Sequence, residues 1–118
     1  MSSAFDLVTI DSPHPDVLAS FWCAALSLHE SQREDGDRWF VLSDANGVRR
    51  LGIQRNMHGS GGTHLDLACS RSEFMDEVTR LVALGASLVK PPRMEPYGSI
   101  ANLADTDGNP FDLCAYGP

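Results

Sequence analysis

Leu42-Ser43-Asp44-Ala45-Asn46-Gly47 returns in the second half of the chain as Leu103-Ala104-Asp105-Thr106-Asp107-Gly108. Both stretches read Leu-small-Asp-x-(Asn/Asp)-Gly. Asn-Gly and Asp-Gly favour tight connections between antiparallel strands, because glycine adopts positive φ at little steric cost. Two equivalent turns at equivalent places suggest a duplicated unit, and the flanking sequence supports that.

Upstream of the first turn lies a strand-like run, Phe5 to Asp11, then Ser12-Pro13-His14-Pro15. A helix is predicted near 15–26, with Val17, Leu18, Phe21, Trp22 and Ala25 on one face. Upstream of the second turn, His64 to Cys69 reads as a strand, and Ser70 and Glu73 have the spacing of a capping box. A second helix, near 72–84, carries Phe74, Val78, Leu81 and Val82 and stops at Gly85, a C-cap residue. Strand signals follow each helix, so each half reads β-α-β-β-β and the fold class is α+β. The whole chain, 1–118, is expected to be one domain: module one about 4–56, a linker at 57–62 and module two about 63–117. His58 in the linker, His14 and His29 read as solvated loop residues.

A chain of 118 residues suits one domain with one core, and 42% hydrophobic with 21% charged residues excludes disorder. Nine Lys+Arg against sixteen Asp+Glu give a formal charge of −7. Such a surface repels nucleic acid and anionic membranes but not a neutral or cationic molecule, and the charge also serves solubility. Cys23, Cys69 and Cys114 form no CxxC pair and point to neither a disulfide framework nor a zinc site. The N-terminus lacks a signal-peptide pattern, and no apolar run approaches the roughly 18 residues of a membrane span. A cytoplasmic location is expected.

Strand alternation sorts the side chains. Val8 and Ile10, Leu51 and Ile53, Leu65 and Leu67, and Phe111 and Leu113 are expected to face the helices. Phe21, Leu65, Leu67, Val78, Leu81 and Phe111 are predicted to be nearly fully buried. The opposite face carries Leu7, Thr9, Asp11, Gly52, Gln54, His64, Asp66, Asp112 and Cys114. It is either open to water, the commoner case in antiparallel sheets, or the wall of a polar cavity.

The paired modules, Phe21-Trp22 on helix one, His64 opening module two and Asp105-Thr106-Asp107-Gly108-Asn109 before the last strand resemble the vicinal oxygen chelate superfamily. That group includes glyoxalase I, bleomycin-resistance proteins, fosfomycin-resistance enzymes and extradiol dioxygenases. Trp39 to Leu42, Leu51 to Arg55 and His64-Leu65-Asp66-Leu67 are most similar to its short glyoxalase-like domain proteins. The resemblance implies a concave mixed sheet around a pocket for a small organic molecule, and a homodimer. It places metal ligands at the positions of Leu7, Gly52, His64 and Asp112. His64 matches; Asp112 stands where Glu is usual; Leu7 and Gly52 cannot ligate through side chains. Divalent metals want at least three protein ligands, so no cofactor is expected, although a divalent metal on His64, Asp112 and a third group such as Asp66, Asp11 or a partner's residue stays open.

His64 is then either a hydrogen-bonded polar residue or a metal-free general base paired with Asp112 or Asp66, whose charge raises the imidazole pKa. His64 and Asp112 are the candidate catalytic pair; Thr9, Asp11, Trp39, Gln54, Asp66 and Cys114 are the candidate ligand contacts. Tyr97 and Gly98, after the Pro91-Pro92 and Pro96 breaks, form a lid or a plain connector. The function expected is binding of a small organic molecule in a polar pocket without a full metal site. The alternative is an enzyme, either a metal-dependent lyase or isomerase or a metal-free acid–base catalyst using His64.

Overall fold

A computed structural model describes residues 3–57 and 62–117. His58 and most of the 57–62 linker lie outside the described residues. The class is α+β, as expected. The order is β1 (Ala4–Ser12), α1 (Pro15–Leu26), β2 (His29–Glu34), β3 (Trp39–Ser43) and β4 (Arg49–Arg55). It continues with β5 (Thr63–Ala68), a 3-10 turn (Arg71–Glu73), α2 (Phe74–Ala83), β6 (Ser87–Glu95), β7 (Gly98–Ala104) and β8 (Pro110–Tyr116). The β-α-β-β-β pattern therefore occurs twice. No helix among the described residues is long and apolar enough to cross a membrane.

The chain divides into two compact units. One is Leu7–Thr63, with strand order β2-β3-β4-β1. There β1 runs parallel to β4, and the β2–β3 and β3–β4 pairs are antiparallel. The other comprises His64 onward with the described residues up to Asp6, in the order β5-β8-β7-β6. Here β5 runs parallel to β8, and the β8–β7 and β7–β6 pairs are antiparallel. A parallel pair cannot be joined by a tight turn and needs a long crossover.

The two repeated motifs form the same turn. Asp44 Oδ1 accepts from the backbone N–H of Asn46 at 2.9 Å and of Val48 at 3.0 Å. Asp105 Oδ1 accepts from the N–H of Asp107 and of Asn109, both at 2.9 Å. Gly47 and Gly108 follow with φ of 79° and 87°. The aspartate side chain, more than the glycine, satisfies the loop's backbone. At the end of α2, Gly85 donates to the Val82 carbonyl at 3.0 Å and Ala86 to the Leu81 carbonyl at 3.1 Å, the paired bonds of a Schellman ending. The start of the helical segment differs from the expected capping box: the Ser70 hydroxyl donates to Glu73 Oε1 at 2.8 Å and caps no backbone N–H.

In the Leu7–Thr63 unit, Ala19, Phe40, Leu42 and Ile53 form the buried core, flanked by Ile10, Leu18, Trp22, Cys23 and Leu51. In the other unit Phe74 and Val78 of α2 pack on Ala101, Leu103, Leu113 and Ala115. Glu77, 1% exposed, is held by Arg80 at 2.7 Å and accepts from the Ser3 hydroxyl, tying the start of the chain to α2. Mainly through Arg80, its carboxyl is held down to about 2. A depressed carboxylate stabilises at pH above its ordinary range, and that contribution is lost as pH falls through the lowered value.

Several expectations are corrected. Phe21 is 58% and Leu65 46% exposed, while Leu67, Leu81 and Phe111 are half-buried; of the six, Val78 alone is buried as expected. On α1 the buried line runs through Pro15 and Ala19 with Leu18, Trp22 and Cys23, which turns Phe21 outward, edge-on to the Trp22 ring at 5.0 Å. Leu65 is in register with half-buried Phe111, two residues along each strand from the core pairing of Leu67 with Leu113. His29 opens β2, exposed, where a loop was expected. Pro91 and Pro92 do not break the chain: β6 passes through them with a register shift between Lys90 and Arg93. Proline is tolerated at such bulges and on a strand at the end of its sheet. Tyr97 lies in the short β6–β7 connection, so it is a hairpin turn residue and no lid loop exists there.

Phe40→Ala is therefore expected to lower the unfolding free energy by about 3–5 kcal/mol, since transfer and cavity terms add. Phe21→Ala is expected to cost less than about 1 kcal/mol. Urea denaturation of the two variants checks the assignment, and comparable losses would refute it.

Candidate functional site

Alternation places His64 and Asp66 on the same face of β5, and the parallel register sets Asp66 beside Asp112 and Ala68 beside Cys114 on β8. On β7, Asn102 is in register with Asp112. The side chains converge. His64 Nε2 lies 3.2 Å from Asp66 Oδ1 and 3.3 Å from Asp112 Oδ2, so one N–H faces two carboxylates. The second oxygen of Asp112, Oδ1, accepts from Asn102 Nδ2 at 2.6 Å. Asn102 Oδ1 in turn accepts from Arg93 Nη2 at 2.7 Å, and Arg93 Nε donates to Glu95 Oε1 at 3.2 Å. Arginine can only donate, so it fixes the amide with its oxygen toward Arg93 and its NH2 toward Asp112.

The electrostatics follow from that wiring. Asp112 first, then Asp66, pushes the His64 pKa up to about 10, outweighing burial, which acts in the opposite sense. At neutral pH the imidazole holds its proton between the carboxylates. One imidazolium between two carboxylates leaves a net negative charge. Cys114 is 5% exposed, and burial, with Asp66 and Asp112 adding, pushes its thiol up to about 12. It is a neutral S–H, not a nucleophile.

The other candidate residues lie in the Leu7–Thr63 unit. Leu7 and Thr9 are fully buried, Trp39 and Asp11 are half-buried, and Gln54 is exposed. Asp11 Oδ2 accepts from Asn56 Nδ2 at 3.2 Å and its N–H donates to the Gly62 carbonyl at 2.9 Å, so it anchors the chain after β4. At Gly52 an added Cβ would lie 2.4 Å from Trp39 Cη2 and 2.7 Å from Thr9 Oγ1. The Trp39 ring occupies the space a side chain at 52 would need.

Whether this chain suits the divalent metal implied by the resemblance can be tested on these residues. Positions 7 and 52 contribute no ligand, and the second is sterically closed, so the four-position set does not fit. His64, Asp66 and Asp112 do offer three donor atoms within 4.8 Å of one another. Asn102 and Arg93 escaped the sequence reading. The available signal was an asparagine inside the apolar run Ile100-Ala101-Asn102-Leu103, where strands disfavour that residue.

Because the folded pKa of His64 is raised, its contribution to stability is present below its ordinary value and is lost as pH rises through the raised one. NMR titration of the unmodified protein is expected to place the His64 midpoint near 10, against an ordinary 6.5. Asp112→Asn is expected to bring it down. A midpoint within about one unit of the ordinary value in the unmodified protein would refute the geometry.

Comparisons with known proteins agree with this fold. A protein from Shewanella frigidimarina, itself uncharacterised, is 29% identical over 91 residues, covering 70% of this chain and 67% of its own. The solved structure of a methylmalonyl-CoA epimerase variant from Streptomyces coelicolor, in complex with 2-nitronate-propionyl-CoA, superposes with a TM-score of 0.71. Identity there is 16%, with 100% of each chain covered. A Legionella pneumophila protein described as an NAD-dependent benzaldehyde dehydrogenase gives a TM-score of 0.73 at 18% identity, over 94% of this chain and 98% of its own. At those identities the likeness is one of fold. The sequence profile of the glyoxalase-like domain matches residues 7–114, nearly the whole chain, and the chain belongs to that family within the vicinal oxygen chelate superfamily.

Proposed function

We propose that this chain binds a small organic molecule through the polar cluster His64, Asp66 and Asp112, and does so without the family's full metal site. The observation that carries the reading is Gly52, whose side-chain space is filled by Trp39 and Thr9. With Leu7 buried as well, half of the family's ligand positions have no donor. The net negative charge of the cluster favours a ligand that presents a cationic or hydrogen-bond-donating group. The fold likeness to an epimerase complexed with an organic ligand supports small-molecule binding in general and names no ligand for this chain.

A second reading rests on the three donor atoms of His64, Asp66 and Asp112. A divalent ion on them would supply Lewis-acid polarisation of a substrate oxygen, as in a metal-dependent lyase or isomerase. Without an ion, His64 offers acid–base chemistry: it holds a proton at Nε2 and must release it before serving as a base. Asn102 and Arg93 would position Asp112 in either case. A homodimer, expected from the resemblance, belongs to this proposal too.

The readings separate in one experiment. Protein purified without chelators or a His-tag is titrated calorimetrically with zinc, nickel and manganese. The same protein is screened by ligand-observed NMR against small amines, neutral amides and carboxylates. Amine or amide binding weakened about tenfold by Asp66→Asn, with no stoichiometric metal uptake, is the expected result. Tight stoichiometric metal binding by the unmodified protein would favour the metalloenzyme. Preferential binding of carboxylates to the His64 cluster would overturn the charge argument.

A further inference from the structure

Arg33, Arg38, Arg50, Arg55, Arg80 and Arg93 each pair with a carboxylate. The Arg71 side chain makes no ion pair or hydrogen bond among the described residues, in a chain where acids outnumber bases sixteen to nine. It lines a groove of about 450 Å³, formed between the start of α2 and the β6–β7 hairpin. That volume falls within the range of small-molecule sites. The apolar lining is Phe74, Met75, Pro92 and Met94. Phe74 is buried, whereas Met75 and Met94 are 60% and 61% exposed, two flexible, polarisable side chains left in water. The groove lies on the α2 side of its sheet. The opposite side carries Asn102 and Asp112, since Ala101, Leu103 and Leu113 pack on the helix.

We propose that this groove is a second binding site, for a small organic monoanion consisting of a carboxylate on a short alkyl or aryl body. The carboxylate pairs with the Arg71 guanidinium, whose forked donors match it. The apolar body lies between Met75 and Met94. The restriction to a single negative charge comes from Arg71 being the groove's one available cation: Arg93 also borders it, but its guanidinium is turned to Glu95 and to Asn102, on the opposite side of the sheet. That leaves one unpaired positive charge, enough for a carboxylate and one short of what a doubly charged phosphate monoester would need.

The test uses the full chain with methyl-labelled methionine, titrated with sodium octanoate and followed by NMR. Octylammonium and octan-1-ol serve as charge controls. Saturable shifts of the Met75 and Met94 methyl groups, without movement of the His64 ring signals, are expected with octanoate. Arg71→Gln should weaken that binding about tenfold or more, while Lys90→Gln, the same charge loss at an exposed site on β6, should change it less than about twofold. Met94→Gln should weaken it too. Arg71 is exposed, so its replacement should leave the fold intact, and the amide spectrum reports whether it does. Octanoate that leaves both methionines unmoved, binds Arg71→Gln equally well, or shifts His64 instead would overturn the proposal. So would octylammonium that shifts the Met75 and Met94 methyl groups at concentrations as low as octanoate does.

Discussion

Parallel pairing of the first and last strand in each unit is the constraint on which the rest depends. It sets Thr9 beside Gly52 in one unit and Asp66 beside Asp112 in the other. In an antiparallel arrangement the register of those pairs would be decided by a turn of a few residues. In a parallel pair it is decided at long range, by the helix and the hairpin that lie between the strands. A one-residue slip of β5 against β8 would carry His64 and Asp66 to the helix face and scatter the cluster. The hydrophobic contacts of Leu67 and Leu113 with α2 thus hold the polar geometry on the opposite side of the same strands.

The cluster itself is economical in donors. A single imidazole N–H lies between two carboxylates, and the remaining oxygen of Asp112 is taken by an amide that an arginine holds in place. Each group narrows the options of the next, so the side chains behave as one unit more than as independent contacts. The same wiring limits what the site can do. Both oxygens of Asp112 already face a partner, Oδ2 His64 and Oδ1 Asn102, and His64 must give up its proton before any other electrophile can use Nε2.

What the amino-acid sequence made legible was local and periodic. The duplicated Leu-small-Asp turns, the two helices and the α+β class are encoded within short windows, in the side chain of Asp44 or Asp105 and in the apolar spacing of α2. The facing of strands was legible for His64, Asp66 and Asp112 because alternation along β5 and β8 needs no knowledge of partners. The misses share a cause. Whether Phe21 or Trp22 turns inward on α1 depends on where the sheet lies, since nearly every position of that helix is apolar. Leu65 alternates correctly yet lies beyond the core that α2 covers. Asn102 and Arg93 join the site through cross-strand register across β6, β7 and β8, which depends on a bulge at Pro91-Pro92 that periodicity cannot locate.

The contact between the Trp39 ring and the bare backbone of Gly52 has a consequence for the paths open to this sequence. A ligating side chain at 52 requires the indole to leave, and removing the indole first opens a hollow where Trp39 and Thr9 now meet. A series of single replacements leading from here toward the metal-bearing arrangement therefore crosses either a clash or a void, whichever position changes first. The two sites are epistatic by volume alone. Only a paired change, in which position 39 shrinks as position 52 grows, keeps the interior filled throughout.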